Sequence, residues 1–239
     1  MFFSLFLFQA TETYAFEILN QIYSSNDSGI LKNYTPTIFQ LLFRRMMENK
    51  TPQYIRCFSH SIFLFSSKFG GQSLYESCET IQPEMTALII TKIIEPNLQM
   101  ICDVDTPHLS RIIVGSTKLL CDSSMNLNPS VWTILYCSII DMMMIFEKKK
   151  SGVSDKFVYE DENAESREFD NTFSKLVHAH LPDFPLSVEE TQPVIFFLKS
   201  LANLCQIHPG RFNSIIFSCL QEEPALFFKS KLQQFGISL

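Results

Sequence analysis

Apolar residues recur at intervals of three and four along almost the whole chain. One such stripe comprises Ile55, Phe58, Ile62, Phe65 and Phe69. This spacing places the side chains on one face of an α-helix, and no long alternating run favours a strand. Only 7 of the 239 residues are glycine, which is well below the usual share. Because tight β-turns and phosphate-binding loops need glycine, we predict an all-α protein.

Four dipeptides mark expected helix starts. Three of them are Thr35-Pro36, Thr51-Pro52 and Thr106-Pro107, and Asn128-Pro129 has the same form. A Thr or Asn side chain can accept a backbone N–H as the N-cap, and proline is suited to the first helical turn. Glu95-Pro96 instead falls inside the fourth apolar stripe, where we expect it to kink the helix.

Pro36, Pro83 and Pro129 stand near the expected starts of alternate helices, 47 and 46 residues apart. Two-helix repeats of the HEAT or armadillo type have a period of about 40–47 residues, whereas tetratricopeptide repeats need about 34. A four-helix bundle would show similar stripes, but eight or more helices in series are better suited to a superhelix. The sequence therefore predicts a HEAT/armadillo-like helical-repeat solenoid (an α-α superhelix) of about four antiparallel helix pairs.

One segment, at about residues 149–170, breaks the helical pattern. Its part from Tyr159 to Asp170 contains six acidic residues opposed by Arg167 alone, a net charge of −5 in a chain of net charge −6. The acidic residues are Glu160, Asp161, Glu162, Glu165, Glu168 and Asp170. One interpretation is a solvated insertion, and the other is a contact surface that attracts a basic protein. The pI of about 5.4 argues against a nucleic-acid partner.

The most membrane-like stretch is residues 131–146, but Asp141 interrupts it, so no membrane insertion is expected. The seven cysteines are odd in number, and no two are closer than fourteen residues. That spacing fits neither a zinc motif nor a compact disulfide framework, so we expect free thiols in a reducing compartment.

Two groups of residues could carry chemistry. Cys57 and His60 are three residues apart on one helix and could pair as nucleophile and base, although the same apolar stripe explains them as packing residues. His178 and His180 are two residues apart and cannot share a helical face. The chain has none of the common phosphate-binding or hydrolase motifs, so we expect no enzyme activity and no cofactor.

The second group precedes Pro107, where Cys102, Asp103, Asp105 and His108 could hold a divalent ion. Their spacing matches no common zinc motif, and Asp105 is also explained as a helix cap. We therefore predict that there is no metal site, and we retain a metal-dependent enzyme only as a distant third hypothesis.

From about Tyr34 to Leu239 the chain resembles the C-terminal end of the exportins that return importin-alpha to the cytoplasm, a family in the importin-beta (karyopherin) superfamily. Residues 10–33 resemble it more loosely, and residues 1–9, an apolar start, do not match. The order and spacing of several short segments carry the resemblance. These are Gly70, Ile81-Gln82-Pro83-Glu84-Met85, Lys92-Ile93-Ile94-Glu95-Pro96, Val114-Gly115-Ser116-Thr117-Lys118-Leu119-Leu120, Trp132, Thr172-Phe173-Ser174-Lys175-Leu176 and Pro209-Gly210-Arg211.

The resemblance implies that residues 10–239 are the C-terminal HEAT-repeat domain of a nuclear transport receptor. It implies binding of importin-alpha together with Ran-GTP, contacts with nuclear pore proteins, and shuttling between nucleus and cytoplasm. The six acidic residues of the insertion are then the candidate protein-binding residues. The alternative is a generic helical-repeat scaffold for protein interactions, without transport activity.

Overall fold

The structure is a computed structural model that describes residues 2–25, 28–48, 50–152 and 185–238. In these ranges the chain is helical and contains no strand. The helices are α1 (Phe2–Ser24), α2 (Ser28–Glu48), α3 (Pro52–Phe69), α4 (Gly71–Ile81), α5 (Met85–Ile89), α6 (Leu98–Ile101), α7 (Thr106–Asp122), α8 (Pro129–Lys150), α9 (Val188–Thr191), α10 (Pro193–Ile207), α11 (Asn213–Ser218) and α12 (Glu222–Phe235).

The helices stack in layers, each of which is a pair of helices. The first helices of neighbouring layers run parallel to one another. In α1, Phe16 packs on Tyr54 near the start of α3, with ring centroids 5.2 Å apart. Seven residues later Tyr23 packs on Phe65 near the end of α3, at 5.3 Å. Because both contacts advance in the same direction along the two helices, α1 and α3 are parallel.

The same relationship links α3 to α7. The rings of His60 and His108 are 4.5 Å apart, and further along both helices Lys118 donates a hydrogen bond of 2.8 Å to the carbonyl oxygen of Ser67. Helix α10 also packs against α7, since Lys118 lies 5.8 Å from the ring of Phe196 in the first turn of α10. The three parallel helices α1, α3 and α7 therefore lie side by side, and α10 packs on α7.

The second helices of the layers run in the opposite direction. Phe39 in α2 packs on Phe65, and Phe43 packs on Phe58, which is earlier in α3. At the end of α8, Lys149 donates hydrogen bonds to the carbonyls immediately before α7. Helix α2 is therefore antiparallel to α3, and α8 to α7, as predicted for a stack of helix pairs.

The structure confirms three of the four predicted helix starts. Thr51 accepts the backbone N–H of Tyr54 at 3.1 Å, and Asn128 caps α8. Helix α7 also begins at the predicted place, but Asp105 rather than Thr106 is its N-cap.

The fourth predicted start, Thr35-Pro36, is wrong. Helix α2 begins at Ser28, and Pro36 lies inside it. Proline removes one backbone hydrogen bond and crowds the preceding turn. The helix nevertheless continues because Phe39, Phe43 and Met46 are buried further along it, and this burial outweighs the local cost. The 47-residue proline spacing therefore does not mark equivalent helix starts, although the repeat class that it suggested is correct.

The predicted interruption at Glu95-Pro96 is present. The helix that begins as α5 widens into a π-helix over Ile90–Ile94, tightens into a 3₁₀ turn over Glu95–Asn97 and resumes as α6. Proline cannot donate the next helical hydrogen bond, and the wider turn accommodates the missing donor. The side-chain amide of Asn97 donates a hydrogen bond of 2.7 Å to the carbonyl oxygen of Ile93 in this region.

Among the residues that the structure describes, α8 is the one helix long and apolar enough to cross a membrane. Its most apolar stretch is 56% buried against other helices, as in the core helix of a folded protein. Trp132 and Tyr136 of α8 lie with Phe197, Phe212 and Phe228 in one aromatic cluster. This cluster holds α8, α10 and α12 together.

Candidate functional site

The six acidic residues that the sequence singles out, Glu160 to Asp170, lie outside the described residues, as do His178 and His180. The structure does describe the two points between which this segment must run. The first is Gly152, two residues after the end of α8, and the second is the start of α9. We call these two points the anchors of the acidic insertion.

The first anchor is fixed by the lysines that end α8. Lys149 donates a hydrogen bond of 2.9 Å to the carbonyl oxygen of Cys102 and another to that of Val104. Lys148 lies 3.8 Å from Glu223 in α12, and both side chains are exposed. A cation at a helix C-terminus also complements the negative end of the helix dipole. The lysine run thus ties the start of the insertion to two neighbouring elements.

Beside the first anchor, a groove of about 710 Å³ separates the end of α8 from the start of α12. Its apolar lining comprises Met144, Leu226 and Phe227, and its remaining lining residues are Glu147, Lys148, Ser151, Glu222 and Glu223. Leu226 is exposed to solvent. The groove therefore combines an apolar lining with more acidic than basic side chains.

Asp141, one turn before the groove along α8, has a raised pKa. Burial raises it most, and the negative charge of Glu223 raises it further. Within the groove, Glu147 is paired with Lys231. The carboxylates here are close enough to influence one another, which is the electrostatic character expected of a surface that attracts cations.

The second anchor is a capping box at the start of α9. Ser187 accepts the backbone N–H of Glu190, and the Glu190 carboxylate accepts the backbone N–H of Ser187 at 2.9 Å. The two reciprocal bonds satisfy donors that a helix N-terminus otherwise leaves unpaired. The chain that leaves the insertion is therefore held in a defined direction.

The carboxylate of Glu190 is completely buried and joins three elements. It accepts a hydrogen bond of 2.9 Å from Ser67 in α3, and it lies 3.7 Å from the ammonium of Lys68 and 3.9 Å from the guanidinium of Arg111 in α7. Its backbone carbonyl accepts the hydroxyl of Ser110. A buried carboxylate needs such partners to offset the hydration that it loses, so Glu190 fixes the second anchor to the solenoid.

Glu189, the preceding residue, makes a more exposed contact. Its carboxylate is 2.7 Å from the ammonium of Lys118. Burial raises the pKa of the nearby Asp122 carboxyl, and the positive charge of Lys118 partly offsets this effect. Both acidic residues at the start of α9 thus face cations of α3 and α7.

The structure does not bring Cys57 and His60 together as a catalytic pair. The Cys57 sulfur lies 3.6 Å from the amide nitrogen of Gln53, and burial raises the pKa of its thiol. His60 instead faces His108, and its pKa is lowered to about 3, mainly by burial and then by the charges of His108 and Arg111. A protonated thiol beside no available base is a packing residue rather than a nucleophile.

The residues before α7 are explained by capping. Asp105 accepts the backbone N–H of His108 at 2.9 Å and also contacts its ring. Burial opposes ionisation of Asp105, but these contacts outweigh it and lower the pKa. Cys102 is buried, and burial raises its thiol pKa to about 12. Among the described residues, no three His, Cys, Asp or Glu side chains converge on a point where a metal ion could sit.

All seven cysteines are free thiols in the structure. Four are buried, and Cys57, Cys137 and Cys219 are only half-buried.

Sequence reasoning missed both the groove and the role of Glu190. The groove joins residues more than seventy positions apart, and no local pattern reports such a contact. Glu190 does have a local signal, because Ser187-x-x-Glu190 is the sequence pattern of a capping box. That pattern predicts the helix start but not the burial of the carboxylate.

The architecture defines the class of protein: an all-α solenoid of stacked helix pairs with polar connections at its edges. The sequence profile described as "CAS/CSE protein, C-terminus" matches residues 1–231. The chain therefore belongs to the CAS/CSE family.

Individual relatives agree with this assignment. The chain is 28% identical over 236 residues to Exportin-2 of Xenopus laevis and 28% identical over 235 residues to Exportin-2 of Homo sapiens. Each alignment covers 97% of this chain and 24% of the relative, so the chain spans about a quarter of their length. The resemblance to the C-terminal region of these exportins is therefore confirmed at the level of the CAS/CSE family.

One solved structure has the same fold. The exportin Cse1 in its cargo-free, cytoplasmic state superimposes with a TM-score of 0.67 over 96% of this chain and 24% of that one, at 20% identity. The predicted HEAT-repeat-type solenoid is therefore confirmed.

Proposed function

We propose that this chain is the C-terminal segment of a nuclear export receptor that binds importin-alpha together with Ran-GTP. The family match over residues 1–231 is the observation that carries the proposal. A protein of this kind binds its partners and performs no catalysis. It would shuttle between nucleus and cytoplasm and contact nuclear pore proteins on the way.

The acidic insertion is the part of this chain that we propose contacts the cargo. Importin-alpha carries a strongly basic segment, and the residues from Glu160 to Asp170 are predominantly acidic. The insertion is held at both ends, by Lys149 at the first anchor and by Glu190 at the second. The groove beside the first anchor carries three further carboxylates, Glu222 and the lysine-paired Glu147 and Glu223. These features support an electrostatic contact with a basic partner.

Binding of the chain to these partners can be measured directly. Immobilised importin-alpha is presented with the 239-residue chain and with a chimera in which the chain replaces the C-terminal quarter of Xenopus Exportin-2, each with Ran locked in the GTP state. We expect the chimera to bind importin-alpha, and to bind it more tightly when Ran-GTP is present. Failure of both the chain and the chimera would favour a generic helical-repeat scaffold.

The role of the insertion is tested in the chimera by neutralising Glu160→Gln, Asp161→Asn, Glu162→Gln and Glu165→Gln together. Electrostatic contacts between exposed charges act mainly on the association rate. Salt screens them, because the Debye length is only about 8 Å at physiological ionic strength. We therefore expect association about two- to ten-fold slower at low salt, with a weaker dependence on salt.

A matched control removes four exposed acidic charges elsewhere. They lie at the end of α2, in the turn before α5, in the 3₁₀ turn and before α7, and the substitutions are Glu48→Gln, Glu84→Gln, Glu95→Gln and Asp103→Asn. Both variants change the net charge by the same amount. If the two lose association rate equally, the effect belongs to net charge, and the insertion is only a solvated segment.

A further inference from the structure

Two half-buried cysteines from distant parts of the chain meet beside the aromatic cluster. Cys137 lies in the middle of α8, and Cys219 follows the last residue of α11. The Cys137 thiol donates a hydrogen bond to the backbone carbonyl oxygen of Cys219, with the sulfur 3.7 Å from that oxygen, across a sequence separation of 82 residues. The two side chains are close enough for each to shift the pKa of the other.

The proximity of the two thiols makes them unequal. Once Cys219 ionises, the Cys137 thiol can donate to its sulfur, and this interaction lowers the pKa of Cys219. The same interaction raises the pKa of Cys137. The pKa of each of the five other cysteines is raised, mainly by burial. Cys219 is therefore the thiol of this chain best prepared to react as a thiolate, with a second thiol close by.

We propose that Cys137 and Cys219 are a site of reversible oxidation, at which a peroxide converts the two thiols into an intramolecular disulfide. A disulfide holds its sulfurs about 2.05 Å apart. The Cys137 sulfur already lies against the backbone of Cys219, so rotation of the two side chains can bring the sulfurs together. Partial exposure gives a small oxidant access to both sulfurs.

The chemistry needs one molecule of hydrogen peroxide. The Cys219 thiolate attacks one peroxide oxygen, the O–O bond breaks, and the departing hydroxide takes up a proton to give water and a sulfenic acid. The Cys137 sulfur then attacks the sulfenic sulfur, and hydroxide leaves as water with the Cys137 proton. Overall, two thiols and one peroxide give one disulfide and two waters. A dithiol reductant reverses the reaction by thiol–disulfide exchange.

The disulfide would close a loop of the chain that contains the acidic insertion and both of its anchors. It would also join α8 to the connection between α11 and α12, next to Tyr136 and its contact with Phe228. A cross-link across so long a loop restricts the unfolded chain and stabilises the folded one. Oxidation would therefore lock the C-terminal helices onto α8.

The full 239-residue chain provides the test. The reduced protein is treated with stoichiometric hydrogen peroxide, its remaining thiols are alkylated, and the digest is analysed without reduction by mass spectrometry. We expect a cross-linked peptide pair containing Cys137 and Cys219, which disappears on treatment with dithiothreitol. The oxidised protein should melt on the order of 5 °C higher than the reduced one.

Two variants and one control complete the experiment. In Cys137→Ser, the sulfenic acid on Cys219 should accumulate and be trapped by dimedone, whereas Cys219→Ser should give neither the adduct nor the cross-link. Cys57→Ser removes another half-buried thiol, one that contacts Gln53, and should leave the cross-link intact. Absence of the cross-link in the unsubstituted chain, or a preference for the buried pair Cys121 and Cys205, would overturn the proposal without relying on any variant.

Discussion

Gly115 of α7 lies directly against the backbone of Phe63 in α3. A Cβ atom built on Gly115 would be only 1.9 Å from the carbonyl oxygen of Phe63. The hydroxyl of Ser66 donates a hydrogen bond of 2.7 Å to the carbonyl oxygen of Gly115 at the same place. The two parallel helices touch here through their backbones, so the side chain at position 115 determines how closely two neighbouring repeats can pack.

The first prediction is that Gly115→Ala destabilises the chain. Alanine favours an isolated helix by about 1 kcal/mol over glycine. The methyl group, however, would overlap backbone atoms that cannot rotate away, so the two helices must separate. We expect the free energy of unfolding to fall by about 2 kcal/mol, measured by urea denaturation.

Lys199→Ala, at an exposed position of α10, serves as the control and should change the free energy of unfolding by less than about 0.5 kcal/mol. A Gly115→Ala variant as stable as this control would show that the two helices can separate without loss.

The second prediction concerns the buried carboxylate at the second anchor. Glu190→Ala removes the acceptor for Ser67 and leaves the cations of Lys68 and Arg111 facing an uncharged methyl group. Breaking a buried ionic contact in this way costs about 3 kcal/mol or more. Chemical denaturation should show this loss, and the amide protons of α9 should exchange faster with solvent.

Glu189→Ala is a matched control on the adjacent residue. Its ion pair with Lys118 is partly exposed. Exposed pairs contribute about 0–1 kcal/mol, so we expect little change in stability. Equal losses in the two variants would contradict the assignment of Glu190 as the buried link.

The class of fold could be predicted from the sequence because every helix of a helical-repeat protein has its own apolar stripe. Each apolar stripe reports a helix on its own, and the Thr51 and Asn128 caps report where two helices begin. Pro36 misled the prediction because local propensity opposes a helix there, while the burial of Phe39 and Phe43 favours one. Tertiary packing therefore determined that the helix continues through Pro36, and a local sequence pattern carries no information about tertiary packing.

The cysteine pair and the groove could not be predicted from the sequence in this way. The hydrogen bond between Cys137 and Cys219 depends on the angle at which α8 crosses the C-terminal helices, and so does the groove beside the first anchor. The spacing of residues along the sequence does not predict that angle. The close approach at Gly115 could be suspected from a glycine within a strong apolar stripe, but its partner, Phe63, could not.

The third prediction is that the chain self-associates through α1. Phe16 and Tyr23 bury the inner face of α1 against α3, while Tyr14, Ile18 and Ile22 are exposed on the opposite face. A stack of repeats covers such a face with the next repeat, and an uncovered apolar face promotes association. We expect sedimentation to show concentration-dependent oligomers. The apolar residues Phe2, Phe3, Leu5, Phe6 and Phe8, which also led us to expect poor solubility, have side chains outside the described part of the structure.

Ile18→Lys with Ile22→Lys should shift the chain toward the monomer. Leu88→Lys with Ile207→Lys is the matched control, because the exposed fractions are nearly the same: 60% and 41% for Ile18 and Ile22, 61% and 41% for Ile207 and Leu88. Both pairs add two positive charges and remove two apolar side chains. A monomeric unsubstituted chain at high concentration, or equal effects of the two pairs, would refute the role of α1.

The last prediction concerns acid stability and rests on His60. This imidazole is half-buried against His108, and its Nε2 atom, which is itself buried, has no hydrogen-bond partner among the described residues. Its pKa is lowered to about 3, first by burial and then by repulsion from His108 and Arg111. In the unfolded chain the pKa returns to about 6.5. Between these two values the unfolded state binds a proton that the folded state does not, so stability falls as the pH drops below 6.5.

Between pH 7 and pH 5 this single group should lower the free energy of unfolding by about 2 kcal/mol. His60→Phe keeps an aromatic ring but cannot be protonated, so its stability should depend less on pH by about that amount over the same interval. The measurement is urea denaturation at several pH values from 5 to 7, a range that avoids most carboxylate titration. His208→Gln, in the turn after α10, is the control. The comparison uses the slope with pH, so a uniform loss of packing energy in His60→Phe does not disturb it. An unchanged slope would show that the folded chain does not hold His60 neutral.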